Sequence, residues 1–157
     1  MFKHILVPVD GSAASNQCIE KAIALAQAFK SAVTVVSVID LYAFAGMGID
    51  AGYGQVEYLN AASEEANKAV ASAQQLFADN GIEATSSVIE GQVVYKNILD
   101  AAQAAHADLI VMGSHGRKGL EKLVLGSVAA QVLSHTKLPV MIVREQNDDQ
   151  KDLQIKD

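Results

Sequence analysis

The sequence predicts an α/β fold, a single domain with a doubly wound, parallel, five-stranded sheet and helices on both faces. Short apolar segments rich in β-branched residues alternate with longer helical segments, as in parallel strands joined by helices. The length of 157 residues suits one domain, and a hydrophobic content of 50% is ample for a core on both faces of a sheet. Right-handed crossovers between such strands give the doubly wound arrangement.

The first two strands and the helix between them have separate signals. Residues 5–9 form a short apolar run that predicts the first strand. Ser12 is a suitable N-cap for a helix over residues 13–29, which are rich in alanine. Residues 32–39 are mostly β-branched and predict a second, buried strand.

A stretch containing glycine and tyrosine, residues 40–58, follows the second strand and is interpreted as a loop, with a lid or a partner surface as the alternative. Within it, residues 46–51 match a dinucleotide fingerprint only superficially, because they do not open a clear helix after a strand. A long helix is predicted over residues 60–79, and Asn80-Gly81 is a typical stop for it.

The second half of the chain continues the alternation. Residues 82–90 alternate like a strand with one wet face, and residues 93–105 have helical spacing. The fourth and fifth strands are predicted over residues 109–112 and 138–143, with a helical stretch over 128–134 between them. We therefore assign residues 1–144 to the domain and residues 145–157 to a polar tail that is expected to fray.

Composition excludes several classes of function. The 18 acidic residues outnumber the 12 lysines and arginines, and a net charge of −6 argues against a nucleic-acid partner or a broad anionic-membrane surface. The longest apolar runs are of strand length, so no transmembrane segment is expected, and no signal peptide is recognised. A single cysteine fits a reducing compartment, so we expect a cytoplasmic protein.

A connection rich in glycine follows the fourth predicted strand. Gly113 and Gly116 lie at its start, and Gly126-Ser127 opens the next helical stretch. Glycine allows a backbone to approach an anion closely, and helix N-termini attract phosphate, so the pattern favours a phosphate site. Ordinary loop glycines with Ser127 as a helix cap are the alternative. The spacing is not that of a Walker-type P-loop.

Three polar residues could serve the same site. His115 and Arg117 lie within the glycine connection, where they either contact phosphate or belong to a solvated loop. Asp10 follows the first strand and either caps the next helix or offers a carboxylate to a ribose hydroxyl or a metal ion. If the first and fourth strands are neighbours at the switch point, Asp10 and Gly113 face one crevice.

The run from Val7 to Ser12 and the glycine connection together resemble the universal stress protein family, up to about Arg144. The resemblance depends on a glycine motif of the family, in which two residues separate the first two glycines and nine residues then precede Gly-Ser or Gly-Thr. Gly113, Gly116 and Gly126-Ser127 match this motif in full. The nucleotide-binding branch of the family keeps this motif. The resemblance therefore implies ATP binding, with or without Mg²⁺, and a strand order of 3-2-1-4-5.

The resemblance also implies a role for each matching residue. Pro8 and Val9 would line the adenine pocket, and Val38 would recognise the adenine edge through its backbone. Asp10 would contact the ribose or the phosphate side. The residues implied to hold ribose and phosphates are Gly113, Gly116, Gly126, Ser127 and Val128. Met112 would lie beneath the ribose and phosphates.

The resemblance further implies a homodimer formed through the last strand, from Val140 to Arg144. A defined partner would also protect an apolar edge strand from uncontrolled pairing. We expect a regulatory stress protein whose dimer depends on nucleotide and modulates a partner protein. The alternatives are a slow ATPase or nucleotidyl-transferring enzyme and an interaction module with a vestigial site. No paired carboxylates or nucleophile sets stand out, so we assign no catalytic residue and expect at most weak hydrolysis.

Overall fold

The computed structural model describes residues 1–42, 53–115 and 125–146. Several predictions concern positions outside this described part of the chain. These are the loop assignment for residues 43–52 with its fingerprint-like run, the phosphate roles of Gly116 and Arg117, and most of the polar tail.

Strands and helices alternate along the described residues. The elements in chain order are β1 (His4–Pro8), α1 (Ala13–Phe29), β2 (Ala32–Asp40), α2 (Tyr53–Asp79), β3 (Ala84–Gly91), α3 (Val94–Ala104), β4 (Leu109–Gly113), α4 (Ser127–His135) and β5 (Val140–Val143).

The strands form one five-stranded parallel sheet in the order β3-β2-β1-β4-β5, which confirms the predicted fold and strand order. Ile5 lies opposite Leu109 in the pairing of β1 with β4. The chain winds from β1 outward to β3 and then crosses back to β4, so the winding reverses between β1 and β4. Sheets of this kind open a crevice at that point, beyond the C-terminal ends of the strands.

Helices cover both faces of the sheet. One apolar cluster joins α1 and α2 to the face that carries Val7 and Val35, and a second joins α3 and α4 to the face that carries Leu6 and Val36. Successive β1 residues therefore point to opposite faces and are still fully buried, with 0% exposure at Ile5, Leu6 and Val7. This double burial explains why the central strands have continuous apolar sequences.

The helix α1 begins as the sequence predicts. Ser12 is its N-cap, and the Ser12 hydroxyl accepts a hydrogen bond from the Ser15 N–H at 3.2 Å. The helix ends at Lys30, which adopts a left-handed conformation with φ of 55°. None of the helices within the described ranges is long and apolar enough to cross a membrane.

The start predicted for the second helix was wrong, because α2 begins at Tyr53 rather than at residue 60. The stripe that faces the core, with Ala66, Ala69 and Ala73, continues backward at helical spacing through Ala62 to Tyr58. Gly54 has low helix propensity and concealed this continuation in the sequence. Part of the predicted 40–58 loop is therefore helix, and Asp40 belongs to β2.

The outer strands differ from the predictions in smaller ways. Strand β3 does not alternate, because Thr85, Ser86 and Ser87 are all exposed on an edge strand. Strand β5 starts at Val140 rather than at residue 138, since Pro139 has no N–H to donate to the ladder. The two edge strands of the sheet therefore differ in polarity: β3 is polar and β5 is apolar.

Candidate functional site

A cavity of about 490 Å³ opens at the C-terminal ends of β1, β2 and β4. It lies at the reversal of winding, and the helices α1 to α4 all contribute to its walls. Every predicted site residue within the described ranges lines it. These residues are Pro8, Val9, Asp10, Val38, Met112, Gly113, His115, Gly126, Ser127 and Val128.

Asp10 is held by the start of α1. Its Oδ1 accepts hydrogen bonds from the Ser12 N–H at 2.9 Å and from the Ser15 hydroxyl at 2.7 Å. The Asp10 N–H in turn donates to Ser15 Oγ at 2.9 Å. The local turn considered as an alternative for Asp10 is therefore present, and the same residue also lines the cavity. The two interpretations are compatible.

The end of β4 and the start of α4 approach each other closely at the rim of the cavity. The Gly126 N–H donates to the Ser114 carbonyl oxygen at 2.8 Å. A Cβ on Gly126 would lie 2.6 Å from that oxygen and 3.3 Å from the Cα of His115, so no larger residue fits without a shift of backbone. A Cβ on Gly113 would lie 3.3 Å from the His115 carbonyl oxygen. Glycine at Gly126 is thus required by close packing of two backbone segments.

The N-terminus of α4 faces the cavity through Ser127 and Val128. Gly126 is the N-cap and supplies no side-chain hydrogen bond, so the interpretation of Ser127 as the cap was wrong. Glycine takes the cap position because a side chain there would meet Ser114. The first N–H groups of a helix have no partner within the helix, and together with the helix dipole they favour an anion.

The cavity also has walls that the sequence predictions missed. The additional lining residues are Ser15, Asp40, Tyr58, Val94, Ile98, Ser114 and Ala129. For Asp40 a signal was available, because this acid ends β2 much as Asp10 follows β1. The helical spacing of Val94 and Ile98 indicated a buried face without indicating that this face borders a cavity.

Cys18 on α1 is fully buried, in the apolar cluster that also contains Val9. Burial and the nearby Asp10 carboxylate raise the pKa of the Cys18 thiol to about 12. A thiol of this kind is neutral at physiological pH and is a poor nucleophile. Within the described part of the chain, no group of three His, Cys, Asp or Glu side chains is arranged to hold a metal ion.

Comparison with known proteins agrees with the fold. The sequence profile of the universal stress protein family matches residues 1–144. The chain is 32% identical over 145 residues to universal stress protein MJ0531 of Methanocaldococcus jannaschii, covering 92% of this chain and 84% of that protein. The structure of MJ0577, from the same organism, has a TM-score of 0.78 at 27% identity and covers 94% of this chain and 99% of its own.

A more distant solved structure shares the fold. It is described as the universal stress protein from Archaeoglobus fulgidus in complex with dAMP, and it has a TM-score of 0.66 at 21% identity. The match covers 90% of this chain and 98% of that one.

Proposed function

The chain belongs to the universal stress protein family, and from this premise we propose that it binds an adenine nucleotide in the cavity at the ends of β1, β2 and β4. The ligand is ATP, with or without Mg²⁺. One observation carries the proposal, namely that Asp10, Gly113 and Gly126, far apart in sequence, line a single cavity. A protein of the same fold has been solved with dAMP, which supports a nucleotide as the class of ligand.

The apolar end of the cavity suits the base. Val38, Val94 and Ile98 line it from the face of the sheet that α3 and α4 cover, and Met112 completes that wall. Apolar walls with a few polar groups are typical of small-molecule pockets. The main chain of Val38 at the end of β2 would offer hydrogen bonds to the adenine edge, with Pro8 and Val9 beside it.

The opposite end suits the phosphates. The N-terminal N–H groups of α4, beginning at Ser127, attract the negative charge, and the absence of a side chain at Gly126 keeps the backbone accessible. His115, next to Ser114, also lines the cavity. Gly116 and Arg117 would complete this cradle, and their placement lies outside the described residues.

Asp10 and Asp40 are the two carboxylates among the described residues that line the cavity. A carboxylate beside phosphates is favourable when it accepts a ribose hydroxyl or holds Mg²⁺. Asp10, which is hydrogen-bonded at the start of α1, would make one of these contacts. Bound Mg²⁺ would neutralise phosphate charge. Carboxylate oxygens are ligands that suit Mg²⁺, and Asp10 is the carboxylate that we propose for this ion.

The nucleotide would control a homodimer formed through β5, and this dimer would modulate a partner protein in the cytoplasm. A hydrogen bond links the two regions, since the Ser114 N–H donates to the Val143 carbonyl oxygen at 3.0 Å. Ser114 lines the cavity and Val143 is the last residue of β5. A ligand bound against Ser114 would therefore act on a residue hydrogen-bonded directly to the edge strand, and it can shift a population of dimers.

The first test is mass spectrometry of any nucleotide released when the purified protein is denatured, combined with calorimetric titration by ATP and Mg²⁺. We expect saturable binding of one nucleotide per chain, and a large loss of affinity in Asp10→Ala. Glu20→Ala removes an exposed acid on α1 outside the cavity and is the matched control. Absence of both released nucleotide and binding would favour an interaction module with a vestigial site.

The same preparation tests the alternative of slow ATP hydrolysis. Release of phosphate is measured for the wild-type protein and for Asp10→Ala. Hydrolysis that persists unchanged in the variant, or disappears on further purification, would argue against an enzyme. Hydrolysis that is present in the wild type and lost in Asp10→Ala would favour an enzyme.

A further inference from the structure

We propose that Ser15 is a positioning residue, which fixes the Asp10 carboxylate in the orientation that nucleotide binding requires. The inference rests on the proposed function and adds to it a residue outside the family motif. Ser15 lies in the first turn of α1 and lines the cavity together with Asp10.

Ser15 and Asp10 form a closed pair of hydrogen bonds. The Ser15 hydroxyl donates to Asp10 Oδ1 at 2.7 Å, and Ser15 Oγ accepts from the Asp10 N–H at 2.9 Å. The hydroxyl proton is therefore directed at the carboxylate, because the lone pairs of Oγ face the N–H donor. A second donor, the Ser12 N–H, binds the same Oδ1 at 2.9 Å.

These bonds restrict the rotation of the carboxylate. Oδ1 is committed to two donors from α1, so the plane of the carboxylate and the direction of its second oxygen are set by the helix. Hydrogen bonds to an ionised acceptor are short and strong, in agreement with the 2.7 Å distance. A preoriented carboxylate loses less conformational freedom when it accepts a ribose hydroxyl or a metal-bound water.

The choice of serine itself needs an explanation. Ser15 is only 7% exposed and lies in an alanine-rich helix, where alanine would favour the helix more and would leave no hydroxyl to bury. The cost of burying this hydroxyl is offset by its hydrogen bond to Asp10. Within the described residues, Asp10 is the side chain to which the Ser15 hydroxyl donates. Serine at position 15, which would otherwise be unfavourable, is thus explained by its hydrogen bond to Asp10, the acid that follows β1.

Ser15 also separates the nucleotide cavity from a second one. Ser15 and Val9 line both the first cavity and another of about 270 Å³ between α1 and α2, whose wall includes Asn16 and Ser72. Removal of the Ser15 hydroxyl would therefore loosen the wall that supports Asp10. Ser15→Thr keeps the hydroxyl and is the conservative variant.

The test is a double-mutant cycle on ATP affinity, measured by calorimetry in the presence of Mg²⁺ on the full chain. We expect Ser15→Ala to weaken binding by about tenfold, which corresponds to one hydrogen bond to a charged group. Ser15→Ala should have no further effect in an Asp10→Ala background, because Ser15 acts through Asp10. Ser15→Thr should restore most of the affinity.

Ser12→Ala is the control for a merely structural effect. Its hydroxyl caps α1 and its loss lowers the melting temperature, but the Ser12 N–H to Asp10 remains, so affinity should stay within about twofold of wild type. If Ser15→Ala does not fold, Ser15→Cys, with a weaker donor of similar shape, takes its place in the cycle.

Two outcomes would overturn the inference while leaving the proposed function intact. One is wild-type affinity in Ser15→Ala. The other is an equal loss of affinity with and without the Asp10 side chain. A wild-type protein that binds no ATP would instead overturn the proposed function itself, and the inference with it.

Discussion

The N–H of Gly126 donates to the carbonyl oxygen of Ser114 at 2.8 Å, and the position of a Cβ on Gly126 lies only 2.6 Å from the same oxygen. The hydrogen bond and the missing side chain have one consequence. They bring the start of α4 against the end of β4, at the rim of the cavity. The phosphate end of the proposed site therefore depends on a contact between two backbone segments.

Gly126→Ala should both destabilise the protein and weaken nucleotide binding. The added methyl group must displace the Ser114 carbonyl, and overpacking of this kind costs about 1–3 kcal/mol of unfolding free energy. The shift also moves the first N–H groups of α4, so we expect the ATP affinity to fall by about tenfold or more. Urea unfolding and calorimetric titration measure the two effects.

Gly81→Ala is the matched control for Gly126→Ala. Gly81 has φ of 74° and no atom within 4 Å of an added Cβ, so alanine there is strained but clashes with nothing. We expect a loss of roughly 1 kcal/mol in stability and no change in ATP affinity. Equal losses of affinity in the two variants would show that the Ser114–Gly126 contact has no particular role.

Tyr58→Ala should weaken nucleotide binding with little effect on the fold. Tyr58 is half-buried and lines the cavity from α2, and its ring offers apolar area to a bound base. An aromatic contact contributes about 0.5–1.5 kcal/mol, so we expect a loss of roughly threefold to tenfold in ATP affinity. Tyr58→Phe should bind like the wild type in the same titration.

Tyr42→Ala is the comparison for Tyr58→Ala, because Tyr42 is 73% exposed and does not line the cavity. Its affinity should equal that of the wild type. An unchanged affinity in Tyr58→Ala would mean that the ring lies beside the cavity without touching the nucleotide.

The parts of the fold that could be predicted from sequence are those with strong local signals. The central strands are buried on both faces and have continuous β-branched runs, as in residues 32–39. The meeting of Asp10 and Gly113 could also be expected, because each ends or follows a strand and the two strands are neighbours at the switch point. The strand order itself came from the family resemblance.

The residues that were missed depend on tertiary packing. Whether Val94 and Ile98 face solid core or a cavity depends on how α3 packs against the rest of the fold, which periodicity does not encode. Tyr58 was missed because Gly54 obscured the first turns of α2. Ser15 looks like any serine near a helix start, and only the distances to Asp10 distinguish it.

The buried Cys18 thiol predicts a specific loss of stability at alkaline pH. Burial and the Asp10 carboxylate raise the pKa of Cys18 to about 12 in the folded protein, whereas an unfolded thiol ionises near pH 8.5. Between these values the unfolded chain has released a proton that the folded chain retains. The stability that Cys18 contributes by staying protonated is therefore complete below the pKa of the unfolded thiol. It is lost as pH rises above that value, by at most about 1.4 kcal/mol of unfolding free energy per pH unit.

Comparison with Cys18→Ala isolates this contribution from other groups that titrate in the same range. Urea unfolding at pH 8, 9 and 10 should show a steeper decline for the wild type than for the variant, whatever the offset between them at pH 8. Parallel declines would show that the Cys18 thiol ionises equally readily in the folded and unfolded states.

The proposed dimer predicts that charge on β5 produces monomers. Strand β5 is an apolar edge of the sheet, with Met141 38% exposed, and an acid there would bring two carboxylates into the apolar interface of a two-fold pairing. Ile142→Asp should therefore be monomeric by light scattering. Because Ile142 also packs partly against the core, Met141→Asp is a second variant that disturbs the fold less.

Ser86→Asp places the same charge on the opposite edge of the sheet, where β3 is polar and exposed, and it should leave the dimer unchanged. Each variant is measured with and without ATP, since the Ser114–Val143 hydrogen bond links the cavity to β5. A dimer that survives both β5 substitutions would place the interface elsewhere. A dimer that Ser86→Asp disrupts would place it at β3, because the two edges lie at opposite ends of one sheet.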